Sequence, residues 1–408
     1  MKLRAVLKDG DIVTSEGSTQ ADLRVNNGVI QDLEPGLAPL PGETVLDCSG
    51  HFIYPGLINS HDHLQFNLYP RLGEPPYDNA YAWGKDLHTR WRDKIDTIER
   101  IPFRLRLLWG AWKNLFSGVT YVVNHEPYSQ RLRFGFPTSV LRRYTFAHSL
   151  QFEQDIPRAL SLRKPSTPFM IHLAEGVDSL ATSEVSELNR LGGLDERTVG
   201  VHAVGIDEDD IQMIKKAKSS LVWCPSSNLF LFGKTAPVRE LSGRVPSALG
   251  TDSTLTGSET MFDELRAARD VSGFNAYELF VLVTEAPQKI FGLDECIGKL
   301  MRGGRPDLFL LRKNSANPFD SLLGATPGQI TLLVRGGATV FFDQESFPTL
   351  GSRGLGTQVD LNGKTKVVAD RQFGRLFKTL RPFLGHYSYL NHDSPHSELP
   401  HRISEATV

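Results

Sequence analysis

A chain of 408 residues, 23% charged and 40% hydrophobic, is long enough for one large enzyme domain and a smaller lobe. Its formal net charge of -2 supplies no basic field for nucleic acid, and no apolar run approaches the roughly 20 residues that span a bilayer. A mixed-charge start without an apolar signal core, and three widely spaced cysteines (Cys48, Cys224 and Cys296), fit a cytoplasmic protein with reduced thiols.

The first stretch reads as short strands and turns. Apolar residues alternate on either side of Asn27-Gly28, which predicts a hairpin between Asp22 and Leu33. Thr44 to Cys48 and His51 to Tyr54 continue the β pattern, and Pro55-Gly56 punctuates it before Leu57-Ile58-Asn59-Ser60 runs into His61. Strands and helices then alternate. Helical spacing covers Ile101–Phe116, and Gly118–His125 reads as a buried strand. Further strands are expected at Arg143–Leu150, Pro168–His172, Thr198–His202, Ser220–Cys224 and Val245–Asp252. Helices are expected at Ser183–Leu191, Asp207–Lys218, Glu259–Asp270 and Ala276–Phe291. Such alternation implies a parallel sheet, closed or open.

Beyond Gly298 the β pattern returns in Asp307–Leu311, Ile330–Val334 and Ala338–Phe342, so the two β-rich ends should pack as one lobe. From about 355 the chain is polar, with one helix expected near Arg371–Thr379 and a frayed tail. The expected division is a composite β lobe of residues 1–55 with 298–350, a catalytic unit at 56–297, and a partly flexible C-terminal extension at 351–408.

Chemistry collects at strand ends. In a strand, residues i and i+2 share a face, so His61 and His63 can reach one metal ion. His172, His202 and Asp252 each close a different predicted strand, and Glu175 follows His172 by three residues. Singly, each has a plain structural explanation: a packed histidine, or, for Glu175, an acid in the first turn of the next helix. Jointly they put ligand-type side chains at the C-terminal ends of four strands, the face on which TIM barrels build their chemistry. Imidazole with carboxylate suits Zn, Fe or Mn rather than Ca or Mg.

At this point the chain resembles the amidohydrolase superfamily, in its branch of chlorohydrolases, S-adenosylhomocysteine deaminases and cytosine or guanine deaminases. The matching pieces are Pro55-Gly-Leu-Ile-Asn-Ser-His-Asp-His, Gly118-Val-Thr, His172-Leu-Ala-Glu and Val201-His-Ala. Trp223-Cys-Pro-Ser-Ser-Asn, Gly250-Thr-Asp-Ser and Met261-Phe-Asp-Glu-Leu follow in order. The resemblance implies an α/β fold, a TIM-like (β/α)8 barrel with a small composite β-sandwich from both termini. It implies one divalent metal, Zn foremost with Fe or Mn as alternatives, held by His61, His63, His172 and Asp252. In that scheme Asp252 also takes a proton from the attacking water, Glu175 shuttles a proton to the substrate, and His202 orients the water and polarises the substrate. Two-metal relatives bridge their ions with a lysine or carboxylate from the barrel's first half. Lys164, beside Pro165 in an expected loop, is the only lysine between Val123 and Pro168, which favours one metal.

The implied activity is hydrolysis of a non-peptide C–N bond in a small cyclic substrate, foremost deamination of an aminated heterocycle or cyclic amidine. The competing readings are opening of a cyclic amide or imidazolone ring, and a retired amidohydrolase serving as a scaffold. The expected partner is a small molecule, with a homo-oligomer open and neither nucleic acid nor membrane involved.

Two regions depart from the pattern. Asn124–Pro168 is too short for two strand–helix units of about 30 residues each, so either the fourth strand is vestigial or a unit is missing. His125 and His148, near the ends of the second and third strands, are candidates for the pocket wall or structural histidines. The segment after His63, with Tyr81 and Trp83 among its aromatics, reads as a lid over the substrate or a self-packed loop. His386, His392, His396 and His401 lie in the tail with no element to fix their geometry, and are not read as a metal cluster.

Overall fold

A computed structural model of the chain describes residues 2–133, 135–152, 155–351 and 356–391. The tail histidines His392, His396 and His401 lie outside them. Eight parallel strands, here β1 to β8, form two sheets. β1 (Leu57–Asp62), β2 (Val119–Asn124) and β3 (Ser139–Val140) make a three-stranded sheet. β4 (Thr145–Phe146), β5 (Phe169–Leu173), β6 (Thr198–His202), β7 (Ser220–Trp223) and β8 (Ser247–Leu249) make a five-stranded one. Within each sheet every strand pairs with its neighbour in sequence, as strand–helix alternation requires. All residues of β5, β6 and β7 are buried, which explains their near-continuous apolar runs.

The question left open at Asn124–Pro168 has a structural answer. β3 pairs with β2, β4 pairs with β5, and only Leu141–Tyr144 separates β3 from β4. A crossover between neighbouring parallel strands needs a dozen residues or more. Four residues can only carry the chain onward in the same direction. β3 and β4 are therefore the two ends of one kinked run that passes from β2 to β5, and the helix of that unit is gone. The strand expected over Arg143–Leu150 shrinks accordingly to Thr145–Phe146.

The two termini build one ten-stranded sheet, folded as a β-sandwich lobe. Its order runs Thr357–Leu361, Lys364–Val368, Ala338–Asp343, Ile330–Arg335, Leu308–Arg312, His51–Pro55, Ala5–Thr14, Gly17–Asn26 and Val29–Glu34, with Thr44–Asp47 beside Ala5–Thr14. Leu7, Leu23, Ile53, Leu310, Leu332 and Val334 are among its core residues. Asn27 (φ 52°) and Gly28 (φ 80°) make the expected hairpin turn, in which both central residues need positive φ. The polar stretch after 355 hides the same device. Asn362 (φ 50°) and Gly363 (φ 74°) join two strands that extend the sheet, so the sequence reading stopped it too early.

Two further corrections concern helices. The single helix expected at Ala276–Phe291 is two, Ala276–Leu282 and Glu285–Ile290. Pro287 cannot donate to a carbonyl one turn back, so the helix breaks before it. The loop after His63 carries helices Ala80–Arg90 and Arg92–Glu99. The helix expected near Arg371 spans Phe373–Leu380, with Phe373 packed on Trp112 at 4.6 Å between ring centroids. Among the described residues no helix is long and apolar enough to cross a membrane.

At the seam between β8 and β1, the Asp252 backbone N–H donates to the His61 carbonyl at 3.1 Å. A side chain at Gly250 would put its Cβ 2.6 Å from that of His61, so the glycine of Gly250-Thr-Asp is demanded by close strand approach. Gly250→Ala is expected to cost about 2 kcal/mol of unfolding free energy in urea melts, because the nearest atoms are backbone and strand-anchored and cannot yield. A melt coincident with wild type would contradict the close seam.

Candidate metal centre

His61 lies in β1 and His63 just beyond it, both buried and on one face. His172 comes from β5, His202 ends β6, and Asp252 follows β8. The chain turns sharply past these ends: Ala174, His202, Ala203 and Asp252 all have positive φ, between 52° and 77°. Non-glycine residues adopt that region at a cost, and such strain gathers where the surroundings enforce a functional geometry.

The turns bring the side chains together. His172 Nε2 lies 3.3 Å from His61 Nε2 and 3.4 Å from His63 Nε2. Asp252 Oδ1 lies 3.8 Å from His61 Nε2 and 3.9 Å from His63 Nε2. A second group adjoins the first: His172, Glu175 and His202 also bring ligand atoms within reach of one another, with Glu175 Oε1 3.5 Å from His202 Nε2.

Outer partners settle which ring nitrogen carries the proton. His172 Nδ1 lies 2.7 Å from the His148 carbonyl, an oxygen that can only accept, so this nitrogen holds the proton and Nε2 is a bare lone pair. His63 Nδ1 faces the Glu126 carboxylate at 3.4 Å, and His202 Nδ1 faces Asn228 Oδ1 at 2.8 Å. Burial, then neighbouring imidazoles, holds His61 and His172 well below the usual histidine range. Lone pairs pointing at each other across 3.4 Å repel unless a cation lies between them. Bonds of ~2.1 Å from a tetrahedral Zn²⁺ would place neighbouring nitrogens ~3.4 Å apart, and three imidazoles with one carboxylate are a donor set that zinc accepts. The residues fit a divalent metal.

The two acids differ. Asp252 is buried, which alone would raise its pKa. His63, His202 and the hydroxyls of Thr256 and Ser227 outweigh that and hold it below the usual carboxylate range. Those hydroxyls donate to Oδ2 at 2.8 and 2.9 Å, leaving Oδ1 toward the histidines. Among the described residues, no hydroxyl donates to Glu175 in this way. Burial first, then repulsion from Asp252 and Glu184, lifts it well above the usual range. Carboxyls whose environments push them apart suit opposite roles, one as base and one as acid.

The remaining sequence candidates have mixed placements. His125 is fully buried, stacks on His172 at 4.2 Å between centroids, and has its Nε2 3.1 Å from the Ala147 carbonyl. His148 sits 4.7 Å from the His172 ring and 5.1 Å from Phe152, with its pKa pushed down to about 4 by burial and His63. Tyr81 donates to Glu184 and packs on Phe152. Trp83 donates to the Leu72 carbonyl at 3.0 Å and anchors its own loop. Sequence reasoning missed Glu126, although it sits at the end of β2 as the other candidates sit at theirs. It also missed the roles of Ser227 and Asn228, which lie within the quoted motif Trp223-Cys-Pro-Ser-Ser-Asn.

The amidohydrolase family profile matches residues 164–345. A 5-methylthioadenosine/S-adenosylhomocysteine deaminase from Carboxydothermus hydrogenoformans is 31% identical over 333 residues, which is 67% of this chain and 75% of that protein. Among solved structures, an adenosine deaminase from Xanthomonas campestris with bound zinc superposes with a TM-score of 0.72 at 17% identity, covering 93% of this chain and 98% of that one. Atrazine chlorohydrolase from Arthrobacter aurescens, complexed with zinc, gives 0.70 at 16% identity, covering 93% and 100%. The two structural likenesses are of fold alone.

Glu264 supports this site from below. Its Oε1 accepts the Ser226 N–H at 3.0 Å, at the start of the helix Pro225–Phe232 that carries Ser227 and Asn228. Burial raises its pKa from 4.5 to about 7, against hydrogen bonds from Ser258 and Ser226. The folded value exceeds the unfolded one, so its contribution is complete below pH 4.5 and is lost as pH rises through about 7. Relative to Glu264→Gln, wild type should lose on the order of 3 kcal/mol of unfolding free energy over that window, measured by urea melts on both sides of it. Parallel pH profiles of the two proteins would refute the assignment.

Proposed function

The chain belongs to the amidohydrolase superfamily, in its branch of 5-methylthioadenosine/S-adenosylhomocysteine deaminases and chlorohydrolases, and on that footing we propose that it is a zinc-dependent deaminase of an adenine nucleoside. It is a hydrolase of non-peptide C–N bonds. The observation that carries the reading is the meeting of Glu175 and His202 beside three converging imidazoles and Asp252: a proton donor and a proton acceptor flank one metal-competent point.

We assign the metal to His61, His63, His172 and Asp252. A divalent ion held there would lower the pKa of a water toward ~7. Asp252 Oδ1 faces the histidines and takes the proton that the attacking water gives up. Glu175, kept protonated by its buried setting, donates to the ring nitrogen next to the carbon under attack. The water oxygen bonds to the carbon that bears the exocyclic amine. His202, with its Nδ1 proton committed to Asn228, presents Nε2 toward Glu175 and orients substrate and water. The proton held by Asp252 then passes to the departing amine, and Glu175 regains one from the hydroxyl just formed on the ring carbon. The C–N bond breaks, and ammonia and the oxo-purine are released.

For the architecture, we take the two parallel sheets as arcs of one TIM-like barrel in which the third and fourth units have collapsed into the kinked run Ser139–Phe146. The domain division follows: residues 56–297 form the catalytic unit, the composite lobe draws on 1–55 and 298–350, and the segment 351–408 extends it. Both seams between the arcs and the common burial of the strands support this reading.

Protein purified without added metal should carry about one equivalent of zinc per chain, and it should release ammonia from 5-methylthioadenosine, S-adenosylhomocysteine or adenosine. Ring opening of a cyclic amide without ammonia release would replace deamination with the other hydrolase reading. Asp252→Asn should lower kcat by at least about a thousandfold with the fold intact by circular dichroism, and Glu175→Gln should lose a similar factor while keeping its zinc. Zinc loss in Glu175→Gln would move Glu175 into the ligand set.

A further inference from the structure

Lys113 is a fully buried lysine on the helix Phe103–Leu115, which the proposed chemistry does not use. Its Nζ donates to Thr251 Oγ1 at 2.9 Å and lies 3.6 Å from Asp62 Oδ2. Both contacts bear on the metal centre. Asp62 is the residue between His61 and His63, and Thr251 immediately precedes Asp252.

Every polar atom around the ammonium has an assignment. Thr251 Oγ1 accepts from Lys113 and from Asn59 Nδ2 at 2.7 Å, and spends its single proton on the Asp252 carbonyl at 2.8 Å. Asn59 Oδ1 accepts the Thr251 N–H at 3.0 Å. Asp62 is also fully buried; its Oδ2 accepts from Asn114 Nδ2 and its Oδ1 from Asn67 Nδ2, each at 2.7 Å. The network spans the seam between β1 and β8, which belong to different sheets and share no strand pairing among the described residues. Removing one member of such a network leaves a buried partner unmatched.

We infer that Lys113 is a positioning residue for the metal centre: its ammonium pins Thr251 against Asp62 and so sets the distance between Asp252 on one sheet and His61 and His63 on the other. The inference rests on the metal assignment proposed above. A lysine that only neutralised Asp62 would become dispensable once Asp62 lost its charge. A positioning lysine would not, because Thr251 would still lose its clamp.

The test compares wild type, Lys113→Met, Lys113→Met/Asp62→Asn and Thr251→Val. Two readouts are taken: the rate of zinc loss to a chelator, and the His61 Nε2–Asp252 Oδ1 separation in crystals of the zinc-free proteins. Groups that orient metal ligands are worth about ten- to a hundredfold in affinity. We expect the double variant to melt near wild type, and both it and Thr251→Val to lose zinc at least about tenfold faster and to open the separation beyond the 3.8 Å of the intact chain. A double variant that holds zinc like wild type at an unchanged separation overturns the inference, whether or not Lys113→Met alone folds. If wild type takes up no zinc, the metal assignment falls and the crystallographic separation alone decides the role of Lys113.

Discussion

The β1–β8 seam is the constraint on which the rest of this site depends. His61 and His63 stand on one parallel sheet, while His172, His202 and Asp252 stand on the other. One backbone hydrogen bond, from Asp252 to His61, and a buried knot of Asn59, Asp62, Lys113 and Thr251 join the strand ends that carry them. Directional bonds suit this task better than apolar contact, because they fix distance and orientation together. Gly250 removes the one side chain that would hold the strands apart. The outer partners His148, Glu126 and Asn228 engage the Nδ1 atoms of His172, His63 and His202, which leaves their Nε2 atoms facing inward.

Much of this could be read before the fold was known, for a physical reason. Candidate site residues at the ends of parallel strands leave a local signature, because a short apolar run stops abruptly at a histidine or an aspartate. His172, His202 and Asp252 all showed it. Residues that act across the seam leave none. Lys113 looks like any lysine on an amphipathic helix, and nothing near it in sequence reports that Thr251, 138 residues away, is its partner. Glu126 was legible in principle but was overshadowed by His125 beside it.

The fold shows the same divide. Strands of five or six residues were found almost to the residue, since complete burial writes itself as composition. The two-residue strands β3 and β4 are too short for any periodicity, so the region could only be flagged as lacking space. The hairpin at Asn362-Gly363 was missed although its turn carries the same dipeptide as Asn27-Gly28. Its flanking strands carry Gln358, Asp360, Lys364 and Lys366, and polar residues at a sheet edge mask alternation while protecting the edge from pairing with another chain.

The kinked run Ser139–Phe146 matters beyond strand counting. It is the single place where the chain leaves the three-stranded sheet for the five-stranded one, and it does so through four residues. Each sheet therefore holds one half of the proposed chelating set, with a tether between the sheets of at most ~14 Å extended. A short tether gives each half-site a high effective concentration in the presence of the other, and it leaves little loop-closure entropy to be lost when they meet. On the proposed metal assignment, an ion caught first by His61 and His63 would find its remaining donors already at hand, so capture would resemble closing a clasp more than assembling four separate ligands.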